Sequence, residues 1–574
     1  MRTNVLKNKD RSMSTVIICV LSFIAVMTIQ LIYMYPFEFA IAGHDAPCHL
    51  LRIEAVANRL KDFNSLIGGV DYTYVGGMGY AGSMYPDLLM IIPAIFRCFG
   101  LSIGYCSTIY LFILNFLTYF VMYKCVKGMT GSMECGTIAA VAYSLAQYRL
   151  DNVFTRSALG EVQAYIFWPL IIYGLYDLIF KDFKKPWLLA IGYGGILLSH
   201  TLSTALAVVV GVVFVLVYIK RIIKDKQKIL KIFKTAGVTL VLTAFYWIPL
   251  LETIFSCDLN LFHPIFKSED NTVKFMNVFQ NVKLDSGAVG VGVSLLIMCM
   301  PIVLFTKKSP IRKTFDRNFG RISFVNLLII FSVVLIFFAT DIAPWSILKY
   351  VLNFLQFPWR LFAVVGLMLS IAGALLLYFV FKHANTLKLG VCFVVAVLVF
   401  TSYAHLSLIP PGRLTYYDEK YMTTETDFSY TLSCGEWLPR KLGELGYEGM
   451  SSLHNRATFN DGTNAKYERD GGTTTVELGQ HKTYVDVPYT WYKGYKAYDS
   501  KGNELETSMS DKGTVRVDLK NASLGTITVS HTCTPIRLVG ILISLLGYVD
   551  LVIFLVCKKR KYKSKNRVVA DRLS

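Results

Sequence analysis

Apolar runs long enough to cross a bilayer, separated by short loops rich in lysine and arginine, constrain this chain more than any other feature. The first run is Val16 to Tyr35, and a hydrocarbon core of about 30 Å needs roughly 20 apolar residues as a helix. In lipid every backbone donor and acceptor must be satisfied within the protein, so such runs fold as helices. Of 574 residues, 54% are hydrophobic and only 17% charged, which sets the chain apart from ordinary soluble globules. No small-residue cleavage pattern follows the first run, so it is expected to stay as a membrane span.

The formal net charge of +19 raises the question of nucleic acid, and the distribution of the basic residues answers it. They fall between apolar runs: Lys124 and Lys127; Lys181 to Lys185; Lys220 to Lys234; Lys307 to Arg321; Lys382 and Lys388; Lys558 to Arg567. Basic loops mark the cytoplasmic side, and on that assignment the spans alternate without conflict, with no call for a nucleic-acid partner. Twelve spans are expected, near Val16 to Tyr35, Tyr105 to Tyr123, Met133 to Gln147, Val162 to Phe180, Trp187 to Ser199 and Thr201 to Ile219. The others fall near Thr235 to Phe255, Gly287 to Phe305, Ile322 to Thr340, Leu361 to Phe381, Gly390 to His405 and Ile536 to Cys557. Both termini are then cytoplasmic, and Lys558 to Lys561 lie where anionic headgroups attract them.

The organisation expected is a helical membrane domain over 1–406, a β-rich domain over 407–534 on the outer side, a final span over 535–557 and a basic tail over 558–574. Within the first part, Pro36 to Gly104 forms a long outer loop whose apolar stretch Leu88 to Phe99 is expected to lie along the interface. In the second, alternation takes over in Thr473 to Leu478, Thr483 to Val487 and Thr514 to Leu519, the pattern of half-buried strands. Turn formers separate them, as at Asn460-Asp461-Gly462, and the length suits a small β-sandwich. Most of the 12 cysteines lie in apolar runs, where they behave as small hydrophobes. Cys434 and Cys533 flank the β-rich region and could pair.

Chemistry concentrates just beyond the first span, in Gly43-His44-Asp45-Ala46-Pro47-Cys48-His49-Leu50-Leu51-Arg52. Pro47 suits the first turn of a helix, which puts Asp45 at the positive N-terminal end. Asp45, His49 and Arg52 are spaced i, i+4, i+7 and so face roughly one way. On the same expected side lie Arg149, Asp151, Arg156 and Glu161, then His200, then Gln356-Phe357-Pro358-Trp359-Arg360. Ionisable groups at membrane boundaries are costly unless partnered, so one shared cavity would account for several of them.

The motif Gly-His-Asp-x-Pro-x-His-x-x-Arg resembles the opening motif of YfhO-like bacterial membrane proteins. So do Arg156-Ser157-Ala158-Leu159-Gly160-Glu161, Leu198-Ser199-His200, Gln356 to Arg360 and Tyr492-Lys493-Gly494-Tyr495-Lys496-Ala497. The resemblance implies a GT-C-like glycosyltransferase fold in the bacterial plasma membrane. It implies a polyprenyl-phosphate sugar as donor and a cell-envelope glycan or teichoic-type polymer as acceptor, met at the outer face. On this reading Asp45 is the base, Glu161 is a second acid, and His44, His49, Arg52, Arg156, His200 and Arg360 contact substrate. The chain is shorter than typical YfhO-like members and has a lone acid in its first loop where many GT-C enzymes have a pair. No cofactor is firmly expected from these residues, and a divalent cation is compatible with them.

Each residue has a plainer role available. Asp45 could only cap its helix, Arg52 and Arg360 could snorkel to headgroups, and Arg156 could pair with Asp151 or Glu161. Trp437 and Trp491 could stack on sugar or serve as core. Two other classes remain open: a transporter or lipid flippase with broken helices, and a noncatalytic glycan-binding protein.

Overall fold

The computed structural model describes residues 2–61, 69–72, 77–263, 267–279, 290–318, 322–408, 414–416, 435–470 and 472–571. Its larger part is helical and hydrophobic. Among the described residues, six helices are long and apolar enough to cross a membrane: Met13–Ile32, Ile103–Thr130, Leu159–Phe180, Pro358–His383, Leu387–Leu406 and Pro535–Lys559. A seventh arises if Lys226–Leu242 and Ala244–Ser256, bent by 73° at Thr243, count as one.

Several of the twelve expected runs form shorter apolar elements among the described residues, including Trp187–Leu197, Thr201–Val217 and Ser323–Ala339. Met133–Ser144 has only 12 residues and is buried along its inner turns. Trp187–Leu197 and Thr201–Val217 are separated at His200. Pro301, which lacks a backbone donor, accompanies the change from the α-helix Val293–Cys299 to the 3₁₀ segment Met300–Leu304. The expected start of that run, near Gly287, lies outside the described residues.

Leu361–His383 is the hub: 18 of its 23 residues are buried, and it packs against Met133–Ser144, Val293–Cys299 and Ser323–Ala339. The final helix is its opposite, with only 11% of its apolar window buried, and it rests on Ala244–Ser256. Leu88 to Phe99 is a 3₁₀ turn followed by the helix Ile91–Cys98. It packs between Ala46–Lys61 and Ile103–Thr130 and is pinned by Arg97 Nε to Glu54 Oε2 at 2.6 Å.

The β-rich region is a sandwich of two five-stranded antiparallel sheets. One runs, in spatial order, Glu504–Leu505, Tyr495–Tyr498, Gly525–His531, Thr473–Leu478 and Tyr467–Asp470. The other runs Thr507–Met509, Thr514–Asp518, Tyr484–Thr490, Ala457–Phe459 and Asn464–Ala465. The alternation read in the sequence sends Val476, Val485, Val487, Val515 and Val517 into the shared core, where Ile527 and Val529 of the further strand Gly525–His531 join them. Cys434 lies outside the described residues, and so does any pairing of it with Cys533.

The sandwich is anchored to the first loop and to the bent helix pair. The Thr490 N–H donates to the Met78 carbonyl at 2.7 Å, and the Tyr72 and Tyr495 hydroxyls meet at 3.3 Å. Thr534 Oγ1 donates to Glu252 at 2.5 Å, which Lys493 approaches to 3.6 Å. A two-stranded ribbon, Ala40–Ile41 with Leu414–Thr415, ties the first loop to the stretch that follows Leu387–Leu406.

Candidate active site

The helix Ala46–Lys61 opens at the chemistry-bearing motif. Asp45 immediately precedes it, and its carbonyl accepts the His49 N–H at 3.1 Å, the first bond of the helix. Asp45 is therefore the N-cap residue. Its own N–H donates to the Arg156 carbonyl at 2.8 Å, so the backbone locks the first loop to a second polar stretch. Gly43 makes the approach possible: a Cβ there would sit 2.5 Å from the Arg156 carbonyl carbon. Ser157, at φ 53°, turns the chain at this contact and donates from Oγ to the Ile41 carbonyl at 3.1 Å.

Arg156 and Glu161 form the centre of a buried network. Arg156 Nη1 donates to Glu161 Oε1 at 2.9 Å and to Asn152 Oδ1 at 2.7 Å, while Nη2 lies 3.6 Å from Asp45 Oδ2. Glu161 also receives Arg360 Nε at 3.2 Å, Tyr148 OH at 2.9 Å and Asn152 Nδ2 at 3.1 Å. Four side chains thus saturate its carboxylate, whose side chain is 5% exposed. Asp45, in contrast, has 43% of its side chain exposed. Of these two carboxylates, Asp45 is the one a substrate can reach.

These groups line one cavity of about 870 Å³, within the range of sites that enclose small ligands. Its polar wall carries His44, Asp45, His49, Arg156, Glu161, His200, Arg360 and Glu436. Its apolar wall includes Leu202, Leu250, Ile254, Phe262, Phe354 and Trp359. Phe262 and Phe354 are also well exposed outside it. The sequence-expected residues are therefore brought together, with the exception of Arg52. That guanidinium stands behind the wall, bonded to Asp87 Oδ1 at 2.7 Å and the Pro86 carbonyl at 2.9 Å, and stacks 4.0 Å from the Tyr85 ring centroid. Arg59 joins it on Asp87 at 2.5 Å, so the pair fixes the wall that Tyr85 presents to the cavity.

Arg52 also approaches His49 Nδ1 at 3.1 Å. A guanidinium can only donate, which leaves the proton of the neutral ring on Nε2. Burial, and then the positive charge of Arg52, hold the His49 pKa well below its ordinary value. His200 caps Thr201–Val217: its Nδ1 accepts the Ser203 N–H at 3.2 Å, again leaving the proton on Nε2. Arg149 and Asp151 go elsewhere. Arg149 is enclosed by Gln30, Asn115 and the Ser144 carbonyl, and Asp151 pairs with His405 at 2.8 Å. Arg156 takes Glu161 and Asp45 instead of Asp151.

Sequence reasoning missed Glu436, Gln356 as a polar contact, and Tyr85. Glu436 and Trp437 come from the segment that leads into the sandwich and close the cavity on that side. Trp437 packs 5.4 Å from Tyr85 and 5.3 Å from Tyr80, and its carbonyl accepts the Tyr492 hydroxyl at 3.0 Å. Gln356 bridges Arg360 and Glu436. Its Oε1 accepts Arg360 Nη1 at 2.7 Å, and its Nε2 donates to Glu436 Oε1. Among the described residues, no group of three or more His, Cys, Asp or Glu side chains is arranged to hold a metal ion.

The chain is therefore a polytopic helical membrane protein with a β-sandwich docked over a polar, ionisable cavity. No family model matches it. It is similar to an uncharacterized protein of Lactococcus lactis subsp. cremoris (strain MG1363), 22% identical over 608 residues that cover 94% of this chain and 96% of that one. Among solved structures it is similar to the arabinofuranosyltransferase AftD from Mycobacteria, at 14% identity and a TM-score of 0.44 over 69% of this chain. The match takes in 27% of AftD, so this chain corresponds to about a quarter of that protein's length. It is also similar to ArnT from Cupriavidus metallidurans bound to undecaprenyl phosphate, at 12% identity and a TM-score of 0.37 over 68% of this chain and 76% of that one.

Proposed function

We propose that the protein is a membrane glycosyltransferase of the GT-C type. It moves a sugar from a polyprenyl-phosphate donor to a hydroxyl of a cell-envelope glycan or teichoic-type acceptor. The observation that carries this reading is one cavity in which an accessible carboxylate, Asp45, faces Arg156 and Arg360 beside an apolar wall. An anionic headgroup on a prenyl chain has both halves of its chemistry matched there.

In the transfer, the acceptor hydroxyl gives its proton to Asp45 as its oxygen bonds to the anomeric carbon. The bond from that carbon to the phosphate oxygen breaks, and the electron pair leaves with the lipid phosphate. Arg156 and Arg360, held in place by Glu161, stabilise the charge that develops there. His49 and His200 add neutral donors through Nε2. Glu161 serves as the anchor of the two arginines, because its lone pairs are already engaged. The sandwich lies on the outer side with the cavity, and both termini face the cytoplasm.

The test is envelope glycan composition in cells carrying wild type, Asp45→Asn or no copy, with membrane insertion checked for each. Asn keeps the shape and most of the capping ability of Asp45. Loss of the same sugar in Asp45→Asn and in the deletion supports the transferase. A wild-type profile from Asp45→Asn, with the sugar lost only in the deletion, removes Asp45 as the base. An unchanged profile in the deletion rejects the function.

A further inference from the structure

Glu436 has surroundings that the transfer chemistry above leaves unused. It is nine-tenths buried yet lines the cavity, and its Oε1 accepts from Gln356, which in turn accepts from Arg360. Gln356 holds this bridge from a backbone that favours glycine, at φ 60° and ψ −51°. The Phe357 N–H closes on the Leu355 carbonyl at 2.6 Å around it, the rare positive-φ γ-turn. Such strain persists only where the surrounding structure enforces it, and it clusters at working sites.

The charges on the cavity wall do not balance. Three carboxyl groups, Asp45, Glu161 and Glu436, stand against two guanidinium groups, Arg156 and Arg360, so acids outnumber arginines on this wall by one when Glu436 is ionised. That is unfavourable for an anionic ligand, since like charges in a poorly solvated site repel strongly.

We propose that Glu436 is the charge-balancing acid of the cavity: it takes up a proton when a lipid phosphate docks at Arg360, so that donor binding is coupled to protonation on the sandwich side of the site. The inference rests on the proposed function and gives that site a regulation. Glu436 is poised for this role. Burial, more than the nearby charge of Asp45, pushes its pKa up to about 7, against the opposing pull of Arg360 and the Gln356 hydrogen bond. The other titratable or charged groups facing the space are His44, Asp45, Cys48, His49 and Tyr85 from the first loop, Arg156 and Glu161 from the next polar stretch, His200 from its helix cap and Arg360.

The linkage has a definite sign. If the protonated form binds the anion better, affinity is highest below the pKa of the free protein and falls as pH rises through about 7, by up to about tenfold per pH unit. The probe is farnesyl methyl phosphate, a phosphodiester whose single charge does not titrate near neutrality. Its Kd would be measured by calorimetry on the full chain in nanodiscs between about pH 5.5 and 8.5. The wild type should weaken above neutral pH. Glu436→Gln should bind with one pH-independent Kd, near the low-pH wild-type value. Gln356→Gly, which suits the backbone and deletes the donating amide, should move the wild-type midpoint upward. A wild-type slope that survives unchanged in Glu436→Gln belongs to the histidines and overturns the coupling while leaving the function standing. A wild type that binds tightly at every pH also overturns it. No binding by the wild type at any pH overturns both.

Discussion

Asp45 and Glu161 are both carboxylates, yet their surroundings give them different work. Asp45 is reachable and has one distant arginine contact, whereas Glu161 is surrounded by four donors. On the proposed function, Asp45→Asn should lower sugar transfer by the purified protein by about 10²–10⁴-fold, the usual loss on removing a positioned base, with thermal stability near wild type. Glu161→Gln should behave in the opposite way. It leaves the buried Arg156 and Arg360 without their counter-charge, which costs about 3–5 kcal/mol of stability, and a thermal melt in detergent should show it as a clear fall in Tm. A wild-type melt for Glu161→Gln would mean that the arginines are not anchored by it. Asp45 and His49 were legible in sequence because helix spacing and a proline place them, whereas Arg52, read at the same spacing, stands behind the cavity wall. Glu436 was not, because an acid in a polar stretch looks like surface until the fold sets it against Gln356 and Arg360.

Elements were legible in proportion to how strongly length and period determined them. The strand Thr473–Leu478 follows the alternation residue by residue, and Thr514–Asp518 follows it from Val515 onward, after a register shift at Thr514. The long apolar helices also fall where hydropathy puts them. Helix breaks did not, since the 73° bend at Thr243 and the stop at Ser144 depend on neighbours distant in sequence. Close approaches of elements are equally invisible until a glycine is examined in place. Gly43→Ala should separate the first loop from the Arg156 stretch, because its Cβ would meet backbone at 2.5–2.6 Å. Turnover should drop severely, and cysteine-scanning access to Cys48, which lines the cavity, should change. Gly160→Ala should also be damaging, since its Cβ would meet the Tyr85 hydroxyl at 2.0 Å and ring carbons at 2.8–2.9 Å, and Arg52, His49 and Trp437 hold that ring in place. A wild-type turnover in Gly160→Ala would mean that the Tyr85 ring is free to swing aside.

At the scale of the whole molecule, the cavity belongs to neither domain alone. The helical part supplies its arginines, Arg156 from the bend between two helices and Arg360 from a 3₁₀ turn, and the apolar wall, while the segment entering the sandwich supplies Glu436 and Trp437. Tyr495→Ala removes the hydroxyl that meets Tyr72 and the ring that packs against Tyr489. It should loosen the sandwich from the first loop, read as faster amide hydrogen exchange at 77–81 with unchanged exchange in Leu361–His383. Uniform exchange changes would instead indicate global unfolding. Synthesis order follows from the same composite wall. A ribosome adds about 5–20 residues per second, so Asp45 leaves it tens of seconds before Glu436 does. Throughout that interval the nascent chain holds Asp45 in an unfinished chamber, and on the proposed function sugar transfer waits for the last wall to arrive.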